Sequence, residues 1–512
     1  MTKTSNQPAN SGEDPELVIS PVTDVELAAI SKADSKKTDQ DPFLVTFNPE
    51  YDEENPRDWR SGRKWAVTDV ISATGFNRIM VSTIMAPALS TIAQEFDMNS
   101  AESVMALSIY LLATAFGPLF IGPLSEIYGR SVILHASNVW FLVWNIACGF
   151  ANSKGVLIAA RFMAGFGASS VYALSAGVLG DVWSAEQRGR SLGYYLLIPL
   201  LGAAVGPIIG GFMAARTTWR WMFWSTSIFQ AVMIAVAYLT FRESYAPLIL
   251  RRRAERLRKE TGDSQYKTLE EREYGHKSAL STISRALSRP IRLLLFHPII
   301  QVTAAISAFN YGMMYIILSN YSDLWVQKYG MSVELSGLHY LAIALGEIAG
   351  SQLGGNVMDY FYKRIHDSRG PSSSGELQVP EYRIPLMIPG ALVGPLGLVV
   401  YGWCAQYKVH WIVVDLAIFV YMFASQTSGM PLTAYVIETY GNHTASATAA
   451  SQFLKSLTAF LFPLFAPIMY QALGYGWGTT TLVFAGLVIG LPAPLVIWFF
   501  GAKLRAKAQS SY

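Results

Sequence analysis

Apolar residues in this chain come in long blocks rather than in alternation. From residue 64 onward, windows of about 20 mostly apolar residues recur, each long enough to cross roughly 30 Å of hydrocarbon as a helix. Six lie at 64–89, 104–122, 132–151, 156–181, 192–214 and 221–241, and six more at 293–320, 333–360, 384–405, 411–435, 445–473 and 477–500. Barrel strands would be shorter and would alternate in polarity. The pattern predicts an all-α membrane protein with twelve transmembrane helices in two six-helix halves.

Polar segments frame these blocks. Residues 1–60 are rich in Ser, Thr, Asp, Glu and Lys and are predicted to form a disordered tail, because they can bury too little apolar surface to order themselves. The opening MTKTSNQPANSGEDPE has no basic stretch leading into an apolar one, so the first span is expected to act as the anchor. Residues 242–292, containing RRRAERLRKETGD, form a linker between halves 61–241 and 293–500, and 501–512 form a second tail.

Composition removes the soluble alternatives: 52% of residues are hydrophobic, 15% are charged, and the mean hydropathy is +0.29, outside the balance of soluble domains. Charge then sets orientation. Arg57, Arg60, Arg63 and Lys64 precede the first span, Arg130 follows the second, Arg188 and Arg190 the fourth, and Lys503, Arg505 and Lys507 the last. Basic residues stay on the cytoplasmic side, so both termini are expected there. The basic linker obeys the same rule and implies no nucleic-acid role. Cys148 and Cys404 sit in apolar spans and suggest neither a disulfide framework nor a metal site.

The connection after the second span, GPLSEIYGRS, places Gly122, Glu126 and Arg130 at four-residue steps, and Gly355, Asp359 and Lys363 recur at the same steps after the eighth. Two related halves joined by a charged linker is the plan of transporters that rock about a midplane site.

These residues carry a resemblance. GPLSEIYGRS, which includes Gly129, resembles the motif after the second span of the major facilitator superfamily, with Glu126 where many members have aspartate and Ser131 where many have a second base. IAARFMAGFGASS is similar to the fourth-span motif, with Arg161 as its arginine. LGAAVGPIIGGF is similar to the fifth-span antiporter signature, at Gly202, Gly206, Pro207, Gly210 and Gly211. NPRDWRSGRKW and ESYAPLILRRRAERLRKETGD resemble the fungal twelve-span drug:proton antiporter branch. The resemblance implies the major facilitator fold and a proton-coupled exporter of drugs, toxins or secondary metabolites. It also associates the fifth-span stripe with tight packing between halves that limits ion leak.

Physical chemistry supplies readings beside the resemblance. Gly122 would let two helices approach closely, while Glu126 and Arg130 would make charge-assisted bonds to neighbouring helix ends. Asp181, at the cytoplasmic end of the fourth span, is the expected partner of Arg130, in a latch that holds the inner gate closed. Gly202, Gly206 and Gly210 leave a stripe without side chains. Charges inside spans are costly and default to functional candidates: Arg78 and Glu347 lie deepest, with Arg161 and Lys455 nearer the span ends. An arginine that moves relative to Glu347 could load and release one proton per cycle. Asn77, Asn310, Tyr311, Tyr315, Tyr421, Gln426 and Tyr435 are the candidate lining for bulky, partly apolar substrates.

No phosphate loop of the GxxxxGK[ST] type is present, and His135, His297 and His443 lack metal-ligand spacing. The chain is therefore read as a proton-driven, plasma-membrane exporter without cofactor, working as a monomer with a small-molecule substrate, protons and the lipid bilayer as partners. An importer of the same fold and a non-transporting membrane sensor are the alternatives.

Overall fold

The computed structural model describes residues 42–274, 279–369, 379–440 and 444–509, so most of the expected N-terminal tail and His443 lie outside the described residues. The N-terminal half consists of α1 (Ser61–Thr83), α2 (Ser100–Tyr128), α3 (Arg130–Gly149), α4 (Lys154–Val182), α5 (Ala185–Arg216) and α6 (Arg220–Thr240). The C-terminal half begins with α7 (Pro298–Asp323), α8 (Val333–Arg369), α9 (Met387–Gln406) and α10 (Trp411–Tyr440). The element Thr444–Gly490 breaks at Gly474, whose φ of 70° suits glycine, and so comprises α11 (444–473) and the start of α12, which Pro492–Gln509 continues. Helices Ala246–Thr261 and Ala279–Phe296 lie in the linker.

Local chemistry sets several of these boundaries. Asn99 and Glu102 form a reciprocal cap at the start of α2. Gly129, at φ 104°, ends α2 and opens α3; a Cβ there would sit 2.2 Å from a carboxylate oxygen of Glu243. Pro207 has no N–H for the carbonyl of Ala203 one turn back, and the Thr83 hydroxyl of α1 donates to that carbonyl at 3.3 Å.

The two halves repeat one packing scheme. α1 packs on α5, α2 on α4 and α3 on α6; α7 packs on α11, α8 on α10 and α9 on α12. Between halves, α5 meets α8 and α2 meets α11. Among the described residues one ion pair joins the halves, Arg216 to Glu334, and it lies at the end opposite the linker, called the far end below.

The glycines divide by what surrounds them. On α5, a Cβ at Gly202 would lie 2.4 Å from Phe76 O, at Gly206 2.6 Å from Thr83 Oγ1, and at Gly210 2.0 Å from Ile84 O. The expected stripe is therefore spent on α1 within one half. The contact between halves is made by its neighbours: a Cβ at Gly211 would be 2.9 Å from Val333 O, and one at Gly337 of α8 2.8 Å from Pro207 O. Gly122 corrects an expectation, since a Cβ there would meet nothing within 4 Å. The close approach on α2 comes at Gly117 instead, packed on Ser169.

Residues 43–58, expected to belong to the tail, are tied to the linker. Arg253 donates to Asp52 Oδ2 at 2.7 Å, Asp52 Oδ1 at 2.8 Å, Glu54 at 2.9 Å and Thr46 O at 3.2 Å. Val45 N–H donates to Lys267 O at 3.0 Å. The Arg253 guanidinium is the main cause that holds the Asp52 carboxyl down at about 2. A depressed carboxyl stabilises the clasp above its unfolded value near 3.8 and loses that contribution as the pH falls through its folded value. Hydrogen-exchange protection of residues 43–58 should therefore hold from pH 7 to about 4, fall below that, and be weak already at pH 7 in Arg253→Ala.

The glycine contacts predict an asymmetric pair of variants. Gly210→Ala forces a methyl into the α1 backbone and should cost about 1–3 kcal/mol. Gly122→Ala gains helix propensity and should be neutral or stabilising by up to about 1 kcal/mol. Thermal unfolding of the two purified variants checks this.

Candidate functional site

At the linker end, α2, α3, α4 and the start of the linker converge on Arg130. Its Nε donates to Asp181 Oδ2 at 3.3 Å and its Nη1 to Ser125 Oγ at 2.5 Å, and its guanidinium lies 4.9 Å from the Tyr245 ring. The Glu243 carboxylate accepts the backbone N–H groups of Arg130 at 2.9 Å and Ser131 at 3.3 Å, an anion seated on the N-terminus of α3. Arg130 and Asp181 are thus together, but both belong to one half. The pair is intact in a structure whose far end is clasped by Arg216 and Glu334. Glu126 is exposed and makes no such bond among the described residues. Glu243 was not singled out from sequence; its place in ESYAP, next to the last span of its half, was the available signal. In the second copy, Gly355 touches Met430, Lys363 is exposed, and the Asp359 side chain lies outside the description.

Arg78 is 2% exposed inside the N-terminal half. The backbone explains its seat. α4 breaks at Ser169, where Tyr172 N–H bonds Ser169 O at 3.0 Å, and this leaves the Ala168 carbonyl for Arg78 Nη1 at 3.5 Å. Ser170 Oγ accepts from Nη1 and Asn138 Oδ1 from Nη2, while Nε is buried without a partner among the described residues. Asn77 extends this network by donating to Thr226 O and Gln230 Oε1, each at 3.1 Å, so it points toward α6. Arg161 is fully buried and donates to Val81 O at 2.8 Å, Leu107 O at 3.2 Å and Ala106 O at 3.3 Å, tying α4 to α1 and α2.

Glu347 sits elsewhere. Along α8, Gly346 and Gly350 press on Phe419 O and Phe423 O of α10, while Leu341, Leu345 and Leu353 are about half exposed toward lipid. One residue along a helix turns about 100°, which takes Glu347 from the α10 face to the side away from those leucines. It is 6% exposed and lies near Tyr311 and Tyr315 of α7. Arg78 is not brought to it, and among the described residues no cation pairs with it.

The expected lining does not gather in one place, and Asn77 has already been placed toward α6. Tyr311 and Tyr315 pack edge to face at 5.2 Å and reach Tyr172 and Ser82 of the other half. Asn310 and Tyr421 line a cavity of about 60 Å³ enclosed by α7, α9, α10 and α12. Gln426 packs on Gly350 of α8, while Tyr435 is buried beside Gly501. Asn138, Ser170 and Tyr172 carry no distinguishing pattern in sequence, because single uncharged polar or aromatic residues recur throughout the spans.

Two helical halves with pseudo-equivalent packing, ionisable groups inside the spans and a lining of phenols define a membrane transporter. Comparison with known proteins agrees. Residues 71–463 match the family model described as Major Facilitator Superfamily. The chain is 56% identical to "Probable efflux pump mfs2" of Aspergillus flavus, over 84% of its own length and all of that protein. It is 37% identical to "Efflux pump vrtL" of Penicillium aethiopicum, over 92% of each chain. The inward open conformation of the xylose transporter XylE from E. coli has the same fold, with a TM-score of 0.63 at 17% identity over 85% of this chain and 96% of that one. The chain belongs to the major facilitator superfamily. It is a multi-pass membrane transporter, not an enzyme.

The Arg130 cluster yields a test. Arg130→Ala removes the bonds to Asp181 and Ser125 but leaves Glu243 seated on α3. Transport per surface molecule should fall at least about tenfold, with some loss of stability beside it, because Arg130 is 7% exposed and its removal leaves Asp181 without its cation. Uptake or efflux assays normalised to surface-labelled protein check it.

Proposed function

We propose that this protein is a proton-driven exporter of bulky, partly apolar small molecules, toxins and secondary metabolites among them, acting as a monomer in the plasma membrane with both termini in the cytoplasm. The names of its relatives support export, and the basic residues at the linker end support the orientation. The observation that carries the coupling is Glu347, a carboxylate facing the interior between the halves with no counter-ion among the described residues.

Substrate enters from the linker side while Arg216–Glu334 and the Gly211–Val333 contact hold the far end closed. Rocking of the halves opens the far end, and a proton taken up there by Glu347 is released to the cytoplasm on return. The two states need differ by only a few kcal/mol for substrate and proton to shift them. Arg130, paired with Asp181 inside one half, braces the linker ends of the N-terminal helices during that motion, in place of the expected latch on the inner gate.

The test is efflux from transporter-deficient yeast expressing the chain and preloaded with labelled apolar drugs and fungal metabolites. A protonophore should abolish export. Glu347→Gln should leave substrate binding within about twofold and make the remaining flux insensitive to the gradient, because the amide cannot carry a proton. Gradient-coupled export by that variant rejects Glu347 as the coupling group. Accumulation instead of export rejects the direction.

A further inference from the structure

The intramembrane cations of this chain differ in how their charge is met. Arg78 is held by Ser170, Asn138 and the Ala168 carbonyl, and Arg161 by three backbone carbonyls. Lys455 of α11 has neither a carboxylate nor a hydrogen-bond acceptor among the described residues. A long side chain can escape such a position by reaching the membrane surface, but here the geometry opposes it. Lys455 is eleven residues past Thr444, the first residue of its helix, hence about 16 Å along the axis.

Its direction follows from its neighbours. Thr458 donates to Ala308 O of α7 at 2.6 Å, and Phe462 packs on Phe309 of α7 at 5.7 Å. Ser456 lies 3.0 Å from the Thr114 hydroxyl of α2, and Phe453 packs on Phe116 of α2 at 5.5 Å. The lipid face is marked by Leu461, Phe465 and Ile468, which are exposed. Lys455 shares its stripe with Ala459 and Ala466, both fully buried, because residues four and eleven apart lie on one helix face. It therefore projects between α7 and α2, into the space where the two halves face each other. Beside it Gln452 donates to Ser456 Oγ at 3.0 Å, which places amide and hydroxyl groups at the depth of the ammonium.

We propose that Lys455 is an anion-binding residue of the transport path, and that the exported class is amphipathic organic anions: an apolar body bearing a carboxylate or an acidic phenol or enol. The inference rests on the export reading for its physiological setting and extends it to substrate charge. The ammonium takes the anionic group, Thr114, Gln452 and Ser456 supply neutral hydrogen-bonding groups beside it, and Tyr311 and Tyr315 offer ring surface for the apolar body. A part-buried intramembrane cation without a protein counter-ion is satisfied by the cargo, and a neutral analogue of that cargo leaves it unpaired.

The test uses the full chain in nanodiscs and two probes of one shape, 2-naphthoate and methyl 2-naphthoate, with affinities measured by calorimetry. The wild type should bind the acid at least about tenfold more tightly than the ester, the scale of one charge-assisted contact. Lys455→Gln should erase that preference while leaving ester affinity within about twofold, which also shows the variant to be folded. Lys455→Arg should restore the preference. Equal binding of acid and ester by the wild type, binding of neither, or equal loss of both in Lys455→Gln overturns the assignment. Because binding needs no gradient, charge-selective binding without protonophore-sensitive efflux would sink the export reading alone and leave the anion site standing.

Discussion

Hydrocarbon offers no hydrogen bonds, so each polar group that a spanning helix leaves open has to find its partner inside the protein. Much of this structure follows from that one constraint. Pro207 of α5 frees the Ala203 carbonyl, and Thr83 of α1 occupies it. The break of α4 at Ser169 frees the Ala168 carbonyl, and Arg78 takes it. Arg161 spends its guanidinium on three carbonyls of α1 and α2. In each case an irregularity in one helix dictates a side chain in another, and so these bonds fix which helices are neighbours.

The same constraint separates structural charge from charge available for work. Arg78 and Arg161 are enclosed by acceptors of their own half and cannot move without stranding them. Glu347 and Lys455 have no such enclosure among the described residues, and both face the space between the halves. A group whose partner arrives and leaves with the cycle can bias the equilibrium between two states, because only differential interaction shifts a population. The glycine contacts divide in a similar way. Gly202, Gly206 and Gly210 lock α5 to α1 within a half, whereas Gly211 and Gly337 put backbone against backbone where the halves must part.

At the linker end the chain pairs charged groups with one another instead. Glu243 sits on the N-terminus of α3, Asp181 and Ser125 hold the Arg130 side chain, and Arg253 clamps residues 46–54 to the linker helix. These groups brace one half and its attached segments, a rigid body that can rock as a unit. The far end carries a single exposed ion pair between halves among the described residues, which is weak enough to break and reform.

Sequence by itself determined the membrane class, the helical spans and the charged Arg130 loop at a span end, because these depend on local composition and on spacing within one segment. It also placed Arg78 and Glu347 inside spans. It did not reveal that Gly122 has open space around it while Gly117 does not, that the α5 stripe serves α1, that Glu243 completes the Arg130 cluster, or that Arg78 and Glu347 lie apart. Those facts turn on which face of each helix meets which neighbour. A helix presents a new direction every 100° or so, and only packing of all twelve chooses among those directions. Tertiary structure alone therefore decided which intramembrane charges have partners, and that distinction separates the charges held inside one half from those that face the space between the halves.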